Sequence, residues 1–264
     1  MTGDTPVSIL SGIAAILNAV AWPLVLVAVI IAFRSKIATL FDVLTKKLAT
    51  ASKVKAWQLE IESAEQDIKD VVDKAASGAS VQQLGAKIPE NQLQAAQEVD
   101  KRLRDAPISQ SSALGVVQKQ IRAQCDQYEQ LRNEMPGGSL RTRRMNEIAA
   151  KMRSLSLAAR PLLDSFVSSQ SVGERLAAIC ILQVAPDYNY FPWLIERIKT
   201  ERQPFIFFQA AVAVLELVKG GSYRGNSSVK REIESALQHV SSFAGGTPDK
   251  NTIDVLNLAL SKVS

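Results

Sequence analysis

The chain has 264 residues, with 47% hydrophobic and 22% charged residues and a formal net charge of +5. That balance excludes collagen, an intrinsically disordered chain and a disulfide-rich secreted scaffold. Two cysteines, Cys125 and Cys180, require no bridge and fit a reducing compartment, and a single histidine, His239, excludes a histidine-built metal cluster within one chain.

The apolar residues are unevenly spread. Residues 5–33 hold no charge over 29 positions. As a helix the densest part, 9–33, reaches roughly 37 Å at about 1.5 Å per residue. That exceeds a hydrocarbon core of about 30 Å and predicts a transmembrane helix. The start, with Asp4, lacks the positive n-region of a signal peptide. Arg34, Lys36, Lys46 and Lys47 follow the run, so the positive-inside rule places the N-terminus outside and the C-terminal bulk in the cytoplasm of an inner membrane. Ser8, Ser11, Ala15, Asn18 and Trp22 share one helix face. Ser11, Ala15, Asn18 and Trp22 are the candidates for packing a homo-oligomer in the bilayer, against the plainer reading of a tolerant anchor. Pro23 can kink the helix.

Residues 34–75 form a juxtamembrane region. Ile37, Leu40, Phe41, Leu44 and Leu48 make an apolar stripe, which either lies on the anionic inner leaflet or continues the span into a bundle. Residues 53–61 alternate loosely, as a short strand or a change of helix register. Ile61, Ala64, Ile68, Val71 and Ala75 then form a heptad-like seam, with acidic residues outward. Residues 76–89 break the period and read as a linker.

Residues 90–163 read as a helical hairpin region. Pro89 opens one helix, which ends before Pro107. Leu114, Val117, Ile121, Cys125, Tyr128 and Leu131 mark the next, with Cys125 as a small core residue. Pro136, Gly137 and Gly138 stop it, and Ser139 is placed to cap a third. Met145, Ile148, Met152, Leu155, Ala159 and Leu162 form the cleanest stripe in the chain. The two stripes predict an antiparallel pair around the Pro-Gly-Gly turn.

From 164 onward short helices alternate with turns. Residues 176–183 (LAAICILQ) align without gaps with 209–216 (QAAVAVLE), an offset of 33. Each copy reads as an Ala-rich helix, a turn and an amphipathic helix. This resembles a short HEAT-like helical-pair solenoid over 164–264. The expected fold is therefore all-α: one transmembrane helix, a hairpin or coiled-coil-like middle and a HEAT-like end.

Motifs for chemistry are missing. There is no Walker A loop, GxSxG elbow, HExxH or CxxC pair. His239 sits near a helix end, where histidine is ordinary. Cys180 lies within an apolar helix. No enzyme, metal or cofactor is expected. Residues 101–160 carry 12 Lys and Arg against 5 acids, a local +7. That block reads as a solvated face or as a surface for an anion such as a nucleotide. Tyr128 is its sole aromatic, which disfavours nucleic acid. The pattern GGSxR occurs at 137–141 and 220–224, so Arg141, Arg143, Arg144, Lys151 and Arg224 are the candidate ligand-binding residues.

Trp22-Pro23, the Phe33-Arg34 exit, the amphipathic stretch after it, and the segment GERLAAICILQVAPDYNYFPWLIERI ahead of Gln203-Pro204-Phe205 resemble prokaryotic single-span membrane proteins with a cytoplasmic helical domain. That resemblance implies an effector or signalling protein of the kind found in defence or stress-signalling operons. It carries over no functional residue. The expected function is a membrane-anchored, oligomeric, non-enzymatic protein that binds a cytoplasmic protein partner or anionic ligand and acts through its span. The alternative is a passive tether recruiting a partner through the HEAT-like end.

Overall fold

The computed structural model describes residues 55, 58–77, 87–242 and 249–264. The chain divides into two compact units, Met1–Gln58 and Leu59–Ser264. The predicted span and its flanking stretch, residues 5–48, lie outside the described residues, as does most of the predicted linker. Among the described residues no helix is long and apolar enough to cross a membrane.

The described part is all-helical. Helix α1 covers 58–77, so the 53–61 alternation yields no strand from residue 58 onward. Then follow α2 (Glu90–Asp105), α3 (Gln110–Glu134), α4 (Ser139–Leu155), α5 (Leu163–Val167), α6 (Val172–Val184), α7 (Phe191–Thr200), α8 (Pro204–Val218), α9 (Ser227–Ser241) and α10 (Lys250–Val263). Side chains hold several helix starts as their types require. Ser109, Ser171, Asn226 and Asp249 each accept a hydrogen bond from a backbone N–H of the first turn. Helix α4 differs from expectation. Ser139 is its first residue, and Gly138 takes the N-cap with φ 152°, a value that favours glycine.

The apolar stripes become one continuous core from Ile68 to Val263. In α1 the buried positions are Ile68, Val72, Ala75 and Ala76, with Val71 at the edge. The heptad-like seam is thus rotated by one residue at its middle. Polar contacts tie α1 to three helices: Asn91 Nδ2 donates to the Ala75 carbonyl (3.2 Å), Gln120 Nε2 to the Glu65 carbonyl (2.9 Å), and Lys151 pairs with Asp73 (2.6 Å). Helices α3 and α4 pack together as the Pro-Gly-Gly turn predicts, and both also pack on α6.

The C-terminal helices form a two-layer stack whose pairing differs from the sequence reading. The near-repeat suggests α6 with α7 and α8 with α9. Instead α5 packs on α6, α7 on α8, and α9 on α10, while the α6–α7 and α8–α9 neighbours make little contact. Helices α6, α8 and α10 stack in one layer, and α7 and α9 in the other. The aligned segments occupy equivalent places in the first layer. Ala177, Ala178, Ala210 and Ala211 are fully buried, which lets α6 and α8 approach closely.

Helix α6 also approaches α3 at Gly173. A Cβ there would lie 2.5 Å from the Cys125 carbonyl oxygen. Beside this crossing Glu129 Oε1 accepts from Ser171 Oγ (2.6 Å) and from the Gly173 N–H (3.0 Å). A carboxylate from α3 thereby satisfies the positive end of α6. The Ser171 hydroxyl, followed by the Gly173 and Val172 amides, holds the Glu129 carboxyl below its ordinary pKa.

Candidate anion-binding site

The α3–α4 turn opens onto a cavity of about 400 Å³. Arg132 from the last turn of α3, and Ser139, Arg141 and Thr142 from the first turn of α4, form one wall. Phe205 and Phe208 from α8 supply an apolar wall, and Asp249 and Asn251 close it from the start of α10. The turn brings the two arginines together because Gly138 reverses the chain directly before α4. Arg141 Nη1 donates to the Met135 carbonyl (2.9 Å), which folds its guanidinium back over the turn. Arg132 Nε is buried with no hydrogen-bond partner. The cap residue Gly138 has no side chain to satisfy the first amides of α4. Two guanidiniums and a helix N-terminus therefore face one carboxylate, Asp249, which already accepts from Asn251 N and Thr252 Oγ1. Such a constellation attracts an oxyanion.

Of the five residues predicted from sequence, Arg141 lines this cavity. Arg143 pairs with Glu147 at 3.9 Å, and Lys151 with Asp73 at 2.6 Å. Arg144 is exposed on α4. Arg224 is exposed in the turn between α8 and α9, and that second GGSxR copy does not open a helix, because α9 starts at Ser227 under Asn226. Ser11, Ala15, Asn18 and Trp22 lie outside the described residues. Sequence reasoning missed Arg132 as a site residue, since on a periodic helix it reads as solvated.

The +7 block does not become a uniform basic patch. Seven of its twelve cations pair with acids; six of those acids lie outside the block, and four of the six, Glu65, Asp73, Glu174 and Asp187, come from other elements of the fold. Glu65 and Asp73 of the acidic face of α1 meet Lys119 and Lys151. The linear charge runs thus largely cancel in space, and the α3–α4 cavity is where basic groups gather around an opening.

A second polar cluster lies inside the fold. Arg153 of α4 is 7% exposed, and its guanidinium meets three glutamines from three other helices. Nε donates to Gln183 Oε1 (2.6 Å), Nη1 to Gln92 Oε1 (2.9 Å) and Nη2 to Gln209 Oε1 (2.7 Å). Gln183 Nε2 also donates to the carbonyl (2.8 Å) and Oε1 (2.9 Å) of Gln209. Two of these glutamines, Gln183 and Gln209, interrupt otherwise apolar, Ala-rich helices, which is the sequence signal that could have found the cluster.

No group of three or more His, Cys, Asp or Glu among the described residues could hold a metal ion. Cys125 and Cys180 are free and buried. Burial pushes the Cys180 thiol up to about 11 and the Cys125 thiol higher still. Comparison with protein-family models, curated proteins and solved structures gives no match.

Proposed function

We propose that this protein is a membrane-anchored, homo-oligomeric, non-enzymatic effector or signalling protein. Residues 9–33 hold it in the inner membrane with the helical part in the cytoplasm. The helical part binds an anionic ligand, and the span carries the response. The observation supporting the ligand is the cavity where Arg132, Arg141 and the start of α4 converge. The span rests on the charge-free run of 29 residues, and a defence or stress-signalling role rests on the resemblance alone. Calorimetric titration of the full chain in detergent with inorganic pyrophosphate tests the ligand. Binding that disappears in Arg132→Ala and Arg141→Ala supports the reading, and binding equally strong in both variants sinks it.

The second reading is a passive tether, in which the C-terminal helical stack, expected from its near-repeat to be HEAT-like, recruits a partner protein. Tyr188 favours it: the ring is 41% exposed and stacks on Tyr223 (4.6 Å between centroids), offering an aromatic surface across two helical pairs. Exchanging residues 9–33 for an unrelated span separates the readings, because a tether survives the exchange and an effector does not.

A further inference from the structure

The α3–α4 cavity has three chemically distinct sides. Arg132 and Arg141 supply the cationic side. Among the described residues neither guanidinium pairs with a carboxylate. The first backbone bond of α4 runs from the Thr142 N–H to the Gly138 carbonyl (3.0 Å). The N–H groups of Ser139, Leu140 and Arg141 precede it and add positive potential at the same end.

The second side is apolar, formed by Met145, Phe205 and Phe208. The Phe205 ring is held against Tyr128, with 6.0 Å between centroids and a 30° tilt. The Tyr128 hydroxyl in turn donates to Gln203 Oε1 (2.8 Å), directly before α8. This aromatic face is therefore preformed, and a bare polyanion gains nothing from it. The third side is Asp249 with Asn251. Asp249 accepts from the Asn251 N–H (3.3 Å) on one oxygen and from the Thr252 hydroxyl (2.5 Å) on the other, which leaves lone pairs on both. A carboxylate there repels a second negative charge but accepts from a hydroxyl or an amine. The volume of about 400 Å³ falls in the range of small-molecule pockets, about 300–1,000 Å³, and exceeds what a pyrophosphate fills.

We propose, resting on the anion reading of this cavity, that its occupant is a nucleoside monophosphate. The phosphate meets Arg132, Arg141 and the start of α4. The base lies against Phe205 and Phe208, where stacking tolerates any base. Ribose hydroxyls or an exocyclic amine donate to Asp249. A ligand with charge at one end, a flat ring in the middle and donors beyond it matches all three sides, whereas pyrophosphate matches one.

Calorimetric titration of the full chain in detergent with adenosine monophosphate, uridine monophosphate, ribose phosphate and inorganic pyrophosphate tests this. Both nucleotides should bind about tenfold tighter than ribose phosphate, the effect of roughly 1.4 kcal/mol of stacking. Phe208→Leu keeps the wall apolar and should erase most of that advantage. Its pyrophosphate affinity should stay unchanged, which also shows that the variant folds. Asp249→Asn keeps a good cap on α10 and should move the ligands in opposite directions, weakening the nucleotides about fivefold and tightening pyrophosphate. Pyrophosphate binding with nucleotides no tighter than ribose phosphate would overturn the proposal and leave the anion reading standing. No binding by any probe would remove both. Equal losses of nucleotide and pyrophosphate in Phe208→Leu, or shifts of the same sign in Asp249→Asn, would also overturn it.

Discussion

Gly173→Ala places one methyl group where α6 crosses α3. The new Cβ would sit 2.5 Å from the Cys125 carbonyl oxygen and 2.9 Å from its C and Cα atoms. These are backbone atoms of a helix, so no side-chain rotation relieves the contact. To reach 3.4 Å, where ordinary contacts begin, α6 must retreat by about 0.9 Å. Overpacking of this kind costs about 1–3 kcal/mol. The same retreat stretches the bond from the Gly173 N–H to Glu129, and a charge-assisted bond of that type is worth about 1.5–3 kcal/mol. Alanine returns up to about 1 kcal/mol through its better helix propensity. The balance is a loss of about 1.5–5 kcal/mol, a large share of a typical stability of about 5–15 kcal/mol. Gly115 is the control, because a Cβ there, in the second turn of α3, meets nothing within 4 Å. Gly115→Ala should add about 0.4–1 kcal/mol. Denaturant unfolding followed by far-UV circular dichroism measures both. A Gly173→Ala variant within about 0.5 kcal/mol of the parent, the range of neutral surface changes, would refute the reasoning.

Three further outcomes follow from the interior. Arg153→Met removes the cation from its three glutamine oxygens and should cost at least about 3 kcal/mol by urea denaturation. The Glu129 carboxyl is depressed in the folded state, so its contribution is complete above the unfolded value of about 4.3 and fades as pH falls through the lower folded value. Glu129→Gln should flatten the acid limb of a stability-against-pH curve below about pH 4.3. Cys125 and Cys180 are buried with raised pKa values, so neither should react with Ellman's reagent at pH 8 until denaturant is added.

Periodicity made the individual helices legible. Val117, Ile121, Cys125 and Tyr128 are buried as their spacing implies, as are Met145, Ile148, Met152 and Leu155. Spacing along one helix states which face is apolar but not which neighbour covers it. That is why the repeat at 176–183 and 209–216 marks equivalent helices, while the sequence assigns their partners one helix out of step. The same gap hid the site. Arg132, Arg141 and Arg153 look alike in the chain, and their fates diverge only when α8 and α10 close over the first two, and α2, α6 and α8 over the third. Charge counting was misled because Glu65 and Asp73, far from the basic block in sequence, lie against it in space.

Helix α6 touches α3, α4, α5 and α8, and residues 176–183 are almost wholly sealed from solvent. Repeat arrays usually unravel one unit at a time, because each unit leans only on its neighbours. Here the first layer of the stack is rooted in the hairpin before it. Amide protons of α6 should therefore exchange only through global opening, at the slowest rate in the chain, while the α9 end frays on a faster clock.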